Sequence, residues 1–329
     1  MSRIVSFAEY GGPDVLRIGD AEIPAPGQGE VRIAVKALGL NRAESMWRSG
    51  AYIEDARLPA RLGYEAAGVI EAVGPGVAAL AVGDAVSVVP GFSMNDYGLY
   101  GELVLAPASL VVKHPASLSF EEAASIWMMF VTAYGALVET AGLAAGETVL
   151  IPAASSSVGL AAIQIARGIG AIPVALTRTG AKRAQLLEAG ALHVIATEEQ
   201  DLVAEVLRIT DGKGARVVFD PIGGPNFPKL IRAMSIGGTL LVYGALSEAP
   251  TPFPILDVIA RLPIIRGHTI WQTSSDPNRL KAATRFVVEG LASGALKPVI
   301  DKVFPFDRIV EAHRYMEANS QFGKIVVSV

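Results

Sequence analysis

The chain contains no cysteine. That absence removes disulfides, thiolate nucleophiles, iron–sulfur ligation and every zinc site built with a thiolate. Charge is also sparse. Asp, Glu, Lys and Arg make up 18% of the 329 residues, and 32 acids against 28 bases leave a net charge of −4. A polyanion-binding surface needs a basic excess, so nucleic acid is not expected as a partner. Long lipid-compatible runs are lacking too. The longest uncharged stretch, from Thr148 up to Arg167, is broken by Pro152, three consecutive serines and Gln164. Those interruptions suit a strand, a turn and a helix better than a membrane span. The start reaches Glu9 before an apolar run can form, so no signal peptide is expected. These absences predict a soluble, cytoplasmic protein with no membrane partner.

What remains is plentiful apolar material, 51% of the residues, over a length that suggests about two domains at roughly 150 residues each. The first ~120 residues alternate short β-branched runs, such as Val31–Val35, Ala67–Val73 and Ala85–Val89, with glycine and proline punctuation. That texture predicts a β-rich unit, at roughly the density of turns such units show. Ser119 followed by Glu122 then reads as a capping box opening a helix. From there strands and helices alternate: strands at 148–152, 172–176, 193–195, 215–220 and 238–243, with helices at 158–169, 180–189, 199–210 and 228–234. Near-continuous apolar strands separated by helices predict a parallel sheet covered on both faces. The tail adds helices at 280–292 and 308–318 and strands at 299–304 and 324–329.

After the first strand of this alternation comes Ala153-Ala154-Ser155-Ser156-Ser157-Val158-Gly159. A dinucleotide fold needs small residues here, because the backbone must turn sharply and approach a pyrophosphate at a helix N-terminus. Against the glycine-rich pattern only Gly159 survives, with Ala154 and Ser156 at the other two places, and a serine-capped turn without a ligand is the bland alternative. The next strand end discriminates further. An NAD site carries an acid there for the ribose hydroxyls, whereas Thr177-Arg178-Thr179-Gly180-Ala181-Lys182-Arg183 holds three cations and no carboxylate. Guanidinium and ammonium groups pair with a 2′-phosphate, so NADPH is the expected cofactor.

These pieces resemble the zinc-independent quinone oxidoreductase branch of the medium-chain dehydrogenase/reductase superfamily. The resemblance rests on Tyr10-Gly11-Gly12-Pro13, Gly39-Leu40-Asn41-Arg42, Arg48-Ser49-Gly50-Ala51-Tyr52, Gly63-Tyr64-Glu65 leading to Val73-Gly74-Pro75-Gly76, Val82-Gly83-Asp84, Thr132-Ala133-Tyr134-Gly135 and Phe322-Gly323-Lys324. It implies an α/β fold: a GroES-like β-rich domain over 1–122, completed by 266–329, and a Rossmann doubly wound parallel-sheet domain over 123–265. The cleft between them would hold nicotinamide and substrate. The family's alcohol dehydrogenases place zinc ligands near the positions of Asn41, Tyr64 and Met128, none of which is a competent ligand here, so no metal is expected. His114, His193, His268 and His313 are scattered through separate elements.

Without a Lewis acid, hydride addition to a conjugated C=C or a quinone is easier than alkoxide chemistry, because the charge spreads over an enolate or hydroquinone. The resemblance therefore implies NADPH-dependent reduction of a quinone or of an α,β-unsaturated carbonyl compound, with a small hydrophobic substrate. Tyr52 is the expected proton donor, with Asn41 lining the nicotinamide pocket and Tyr64 a second donor or a packing group. By position, Ser156, Ser157 and Val158 would meet the pyrophosphate. Thr177, Arg178 and Lys182 would meet the adenosine phosphate. Thr132, His268, Thr269 and Ile270 would lie beside the nicotinamide, Gly244 and Ala245 would contact the cofactor after the Tyr243 strand, and Lys324 would lie near the ribose. A homodimer is expected from the family alone. The alternatives are a 2-enoyl thioester reductase, for which Arg57 and Arg61 could supply a basic rim, and a non-catalytic NADPH-binding protein.

Overall fold

The computed structural model describes residues 1–329 and divides into two compact units. The first comprises 1–128, 274–292 and 298–329, and the second 129–273 with 293–297. In chain order the first unit opens with β1 (Ser2–Phe7), β2 (Arg17–Ala21), β3 (Glu30–Gly39), α1 (Arg42–Ser49), β4 (Ala60–Arg61), β5 (Glu65–Val73), β6 (Ala85–Val88), β7 (Leu103–Pro107), β8 (Val111–Lys113) and α2 (Phe120–Ala123). Helix α3 (Trp127–Tyr134) carries the chain into the second unit. There follow β9 (Thr148–Ile151), α4 (Ser157–Ile169), β10 (Ile172–Thr177), α5 (Arg183–Glu188), β11 (His193–Ala196), α6 (Leu202–Ile209), β12 (Ala215–Asp220), α7 (Phe227–Ala233), β13 (Met234–Val242), α8 (Ile255–Arg261), β14 (Ile264–Gly267) and α9 (Trp271–Ser274). The tail supplies α10 (Pro277–Ser293), β15 (Ile300–Pro305), α11 (Ile309–Glu317) and β16 (Lys324–Ser328).

In the first unit β3 is the organising strand. Its early residues alternate, with Val31, Ile33 and Val35 buried, as a half-covered strand requires. It then becomes wholly buried at Ala37–Gly39, where β16 takes over from β7 as its neighbour. The main sheet runs β15-β16-β3-β5-β6-β8, and a smaller sheet runs β2-β1-β4. Gly39 is needed at the end of β3, since a Cβ there would stand 1.9 Å from the Ala124 carbonyl oxygen.

The second unit is a six-stranded, all-parallel sheet in the order β11-β10-β9-β12-β13-β14. Strands β9 and β10, the middle of β12 and the second half of β13 are largely apolar because helices cover both faces, and Leu150, Val174, Val218 and Leu240 sit fully buried between them. The order reverses direction between β9 and β12. In such sheets ligands bind outside the strand C-termini at that reversal, so the fold itself points to the segments after Ile151 and Asp220.

The differences from the sequence expectation have local causes. The compact units change over at 128/129 and 273/274, and β14, whose residues span the expected 265/266 boundary, pairs with β13 and belongs to the parallel sheet. Helix α6 starts at Leu202 rather than Glu199, since the Asp201 side chain caps it by accepting from Ala204 N. The expected 180–189 helix begins as a 3-10 turn over Gly180–Lys182. Strand β13 begins at Met234 and so shortens the preceding helix. Helices α1 and α8 and strand β14 had no counterpart in the sequence reading. The 120–140 segment has the length and apolarity to cross a membrane, but 72% of its most apolar window is buried within the protein, as for a core helix.

Candidate active site

The candidate residues fall in two groups, one in each unit. In the second unit the chain leaves β9, turns through 152–156 and enters α4. Ala153 adopts φ +48°, a left-handed conformation that a non-glycine residue takes only in a tightly determined turn. Ser156 is the N-cap, its hydroxyl accepting from Gly159 N at 3.1 Å. A Cβ on Gly159 would lie 2.7 Å from Ala154 O and 2.8 Å from Ala153 O, so the one glycine surviving from the pattern is the one that lets the helix close on the turn. The N–H groups of Ser157 and Val158 stand in the first turn, where the helix offers no intrahelical acceptor. Small residues, open N–H groups and the positive end of a 13-residue helix fit a bridging phosphate.

The turn after β10 lies alongside. Lys182 Nζ donates to Ser155 Oγ at 3.2 Å, tying the two turns together. Arg178 is exposed and has no carboxylate within ion-pair range. Arg183, the third expected cation, is committed to structure: it donates to Val194 O at 2.6 Å and to Gln200 Oε1 at 2.9 Å. Thr177 holds the neighbouring strand end through its carbonyl, which accepts from Thr197 N and Thr197 Oγ1. A carboxylate is present after all, because Glu199 Oε1 accepts from Gly180 N at 3.0 Å. Sequence inspection missed it because the acid arrives from the turn after the following strand.

At the reversal, the Asp220 carboxyl is buried and accepts from Ile222 N at 2.8 Å and Gly223 N at 3.1 Å, and burial pushes it above the usual carboxylate range. Gly244 lies where a Cβ would be 2.7 Å from Pro221 O, and Ala245 beyond it is exposed. His268 Nε2 is 3.0 Å from Thr132 O; a carbonyl only accepts, so that nitrogen carries the proton. Both residues are almost fully buried, as is Ile270, whereas Thr269 is exposed. Just beyond, the helix widens to a π-turn over Gly135–Thr140, and Thr273 Oγ1 donates to Glu139 Oε2 at 2.8 Å.

The first unit holds Asn41, Tyr52, Tyr64 and Lys324. Asn41 caps α1, and Glu44 Oε2 accepts from Asn41 N, the reach-back half of a capping box. Its side chain is fully engaged by protein. Asn41 Oδ1 accepts from Lys324 Nζ at 2.6 Å, while Nδ2 donates to Gly39 O at 3.0 Å and Glu44 Oε1 at 3.2 Å. Lys324 Nζ also meets Glu65 Oε2 at 2.6 Å, and neither side chain has exposed surface. The other Glu65 oxygen accepts from Trp127 N at 2.7 Å and Met128 N at 3.0 Å. Asn41 and Lys324, expected against nicotinamide and ribose, are thus placed in a closed internal network. Glu44, fully buried, is pushed up to about 7 by that burial, partly offset by Lys324 and the donors around it.

Tyr64, at the position where zinc-dependent relatives carry a histidine, donates from its backbone N to Glu44 Oε1 at 3.1 Å and from its hydroxyl to the Tyr52 hydroxyl at 3.3 Å. Burial raises both phenols above their ordinary value, so each holds its proton at neutral pH. Rings at Trp47, Tyr52, Tyr64, Phe92 and Tyr97 form a continuous aromatic run with successive centroids 5.6–6.3 Å apart. The Asn-x-x-Glu spacing was the available signal for Glu44; nothing comparable marked Glu65 as an ion-pair partner. No group of three or more His, Asp or Glu side chains is placed to share a metal ion.

Comparisons with known proteins agree with this architecture. Residues 27–116 match the alcohol dehydrogenase GroES-like domain family, and residues 157–289 match the family described as zinc-binding dehydrogenase. Human quinone oxidoreductase is 33% identical over 329 residues, spanning 99% of this chain and 98% of its own. A crystal structure of Escherichia coli quinone oxidoreductase complexed with NADPH superposes with a TM-score of 0.91 at 28% identity, covering 99% of this chain and 100% of that one. A crystal structure of an NAD-dependent alcohol dehydrogenase does so with a TM-score of 0.89 at 35% identity, covering 99% of each. The chain belongs to the medium-chain dehydrogenase/reductase superfamily, in its quinone oxidoreductase branch.

Proposed function

We propose that the protein is an NADPH-dependent reductase that delivers hydride to a quinone or to the C=C bond of an α,β-unsaturated carbonyl compound without a metal. The observation that carries the choice of cofactor is Arg178, exposed and without a carboxylate partner at the end of β10, beside Lys182 on Ser155. A 2′-phosphate supplies the missing anion there, whereas the ribose hydroxyls of NADH leave the guanidinium unpaired. The nicotinamide cofactor supplies a hydride when bound. Ser157 and Val158 orient its pyrophosphate through their N–H groups, and Gly159 keeps the helix close enough for them to reach.

The donor in the first unit is Tyr52. Tyr64 donates to the Tyr52 oxygen, leaving the Tyr52 proton free for a developing enolate or hydroquinone oxygen. Asn41 and Lys324 act from beneath, by fixing the end of β3 and the start of α1. An absorbance assay at the reduced-nicotinamide band tests the reading, comparing NADPH with NADH against a quinone, an enone and a crotonyl thioester. Turnover restricted to NADH, or none with any of the three acceptors, overturns it. A crotonyl thioester turned over in preference to the others would select the thioester reductase instead.

The active form is proposed to be a homodimer built on the second unit. Strand β14 is an unpaired sheet edge, and Ile255, Leu256 (81% exposed), Ile259, Leu262 and Ile264 expose apolar side chains on it and on the adjoining α8. An open strand edge flanked by that much apolar surface suits association with a second copy.

A further inference from the structure

We infer that the first unit carries an anion site of its own, in the cavity walled by Arg57 and Arg61, and that its ligand bears a phosphate or carboxylate group. The cavity holds about 500 Å³ and lies among β4, the 94–98 segment and Leu105. Arg61 is the residue that requires an explanation. Its Nε and Nη2 are shut away from solvent and have no hydrogen-bond partner, and no carboxylate lies within ion-pair range of its guanidinium. A guanidinium cannot shed its charge as a lysine can, so an enclosed and unpaired one is costly unless a counter-ion completes it. Burial disfavours its charged form, and no neighbouring acid offsets that effect.

The surroundings hold Arg61 in place without neutralising it. Its carbonyl accepts from Trp47 Nε1 at 3.2 Å, and β4 pairs it with Ser6 of β1. Gly98 makes room: a Cβ there would stand 2.4 Å from Arg61 Cβ. The cavity's other polar groups are largely engaged. Glu30 accepts from Tyr97 Oη at 2.8 Å and from Gly27 N at 2.8 Å, and Asn95 donates to Glu54 and to Asp55 O. Asp96 stands exposed at the rim, where water screens it. Arg61 and the exposed Arg57 both line the space without a carboxylate partner, and a two-oxygen anion held there would offset both positive charges. The inference does not rest on the proposed reductase activity, since a protein inactive on every quinone and enone would still bind the anion.

The test is thermal unfolding of the intact protein in a buffer free of oxyanions, titrated with sodium phosphate or with malonate. Wild-type protein is expected to gain several degrees with one or both anions, and the more effective anion identifies the group. Arg61→Met is expected to lose that gain while melting no lower than wild type without anion, because it removes an unpaired charge. Arg178→Gln separates off the phosphate-binding turn proposed for the second unit: any part of the phosphate gain that it removes belongs there, and the gain that survives it is the one Arg61→Met is expected to remove. Should Arg61→Met fail to fold, Arg61→Lys preserves the charge and loses the fork, and is expected to require about tenfold more anion, the loss of roughly one charge-assisted hydrogen bond. No gain in wild type, an equal gain in the Arg61 variants, or a gain abolished only by Arg178→Gln would each overturn the inference.

Discussion

Lys324 Nζ and Glu65 Oε2 lie 2.6 Å apart with both side chains sealed from solvent, joining the last strand of the chain to β5. Removing one partner strands the other charge in the interior. Lys324→Met is therefore expected to destabilise the first unit by about 3–5 kcal/mol, and Lys324→Met combined with Glu65→Gln to recover much of the loss. Urea denaturation of the three proteins checks this; equal midpoints for wild type and the single variant would refute it.

Two buried groups push the pH dependence in opposite directions. His313 has no exposed surface and is held down to about 3 by burial beside Arg48 and Arg42. Between pH 3 and its ordinary 6.5 the unfolded chain binds a proton that the folded one refuses, so stability falls as pH drops. Glu44, raised to about 7 from 4.5, does the reverse: between those values the folded protein keeps a proton the unfolded chain has lost, and stability falls as pH rises. Each limb has a slope of about 1.4 kcal/mol per pH unit at most. The two offset between 4.5 and 6.5, which gives a plateau there and an acid limb below it. Glu44→Gln should tilt the plateau so that stability climbs with pH; an unchanged plateau in urea midpoints across pH would contradict the assignment.

Coenzyme choice should follow the turn after β10. Replacing Arg178 and Lys182 with alanine is expected to weaken NADPH binding about 10- to 100-fold, from the loss of one or two charge-assisted contacts, and to leave NADH binding nearly unchanged. Fluorescence titration of reduced coenzyme measures both. Parallel losses for the two coenzymes would mean that these cations do not read the phosphate.

Gly159→Ala inserts a methyl 2.7 Å from Ala154 O and 2.8 Å from Ala153 O, both backbone oxygens that cannot rotate away. The helix must shift away from the turn, so coenzyme binding is expected to weaken by at least about tenfold while the acceptor KM changes little.

If Tyr52 is the donor proposed above, Tyr52→Phe is expected to lower kcat by about 10²- to 10⁴-fold, the usual range for a positioned acid. Tyr64→Phe should have a smaller effect, because it removes only the hydrogen bond into the Tyr52 oxygen. Pre-steady-state reduction kinetics would expose a role limited to packing, in which Tyr52→Phe retains the wild-type chemical step.

The fold was largely legible in the sequence because its signals are local. Strands such as 148–151 and 215–220 are near-continuous apolar runs, and the Ser119–Glu122 and Ser156–Gly159 caps are short-range hydrogen-bond patterns. Strand β14 escaped notice because Ile264-Ile265-Arg266-Gly267 is too short and too exposed to stand out, and only its pairing with β13 makes it a strand. The serine turn was legible as a capped helix start for the same local reason. The buried hydrogen-bond partners of Asn41 and Lys324 were not. Their amide and ammonium groups looked available in one dimension, and only the fold brings Glu65 and Glu44 against them from elsewhere in the chain. Arg183 and Glu199 follow the same logic, one cation consumed and one carboxylate delivered by tertiary neighbours.

Strand β16 sits between β15 and β3, inside the main sheet of the first unit, yet it is translated only after the whole of the parallel-sheet unit. The segment forming the parallel sheet is nearly contiguous and can complete itself during translation, whereas the opening strands must wait, with the end of β3 lacking one neighbour and Glu65 lacking its counter-ion, until residues 324–328 have been made. A nascent chain stalled shortly before residue 324 would therefore present an assembled nucleotide-binding fold behind an unsealed amino-terminal half, and that half is where chaperones and proteases would engage first.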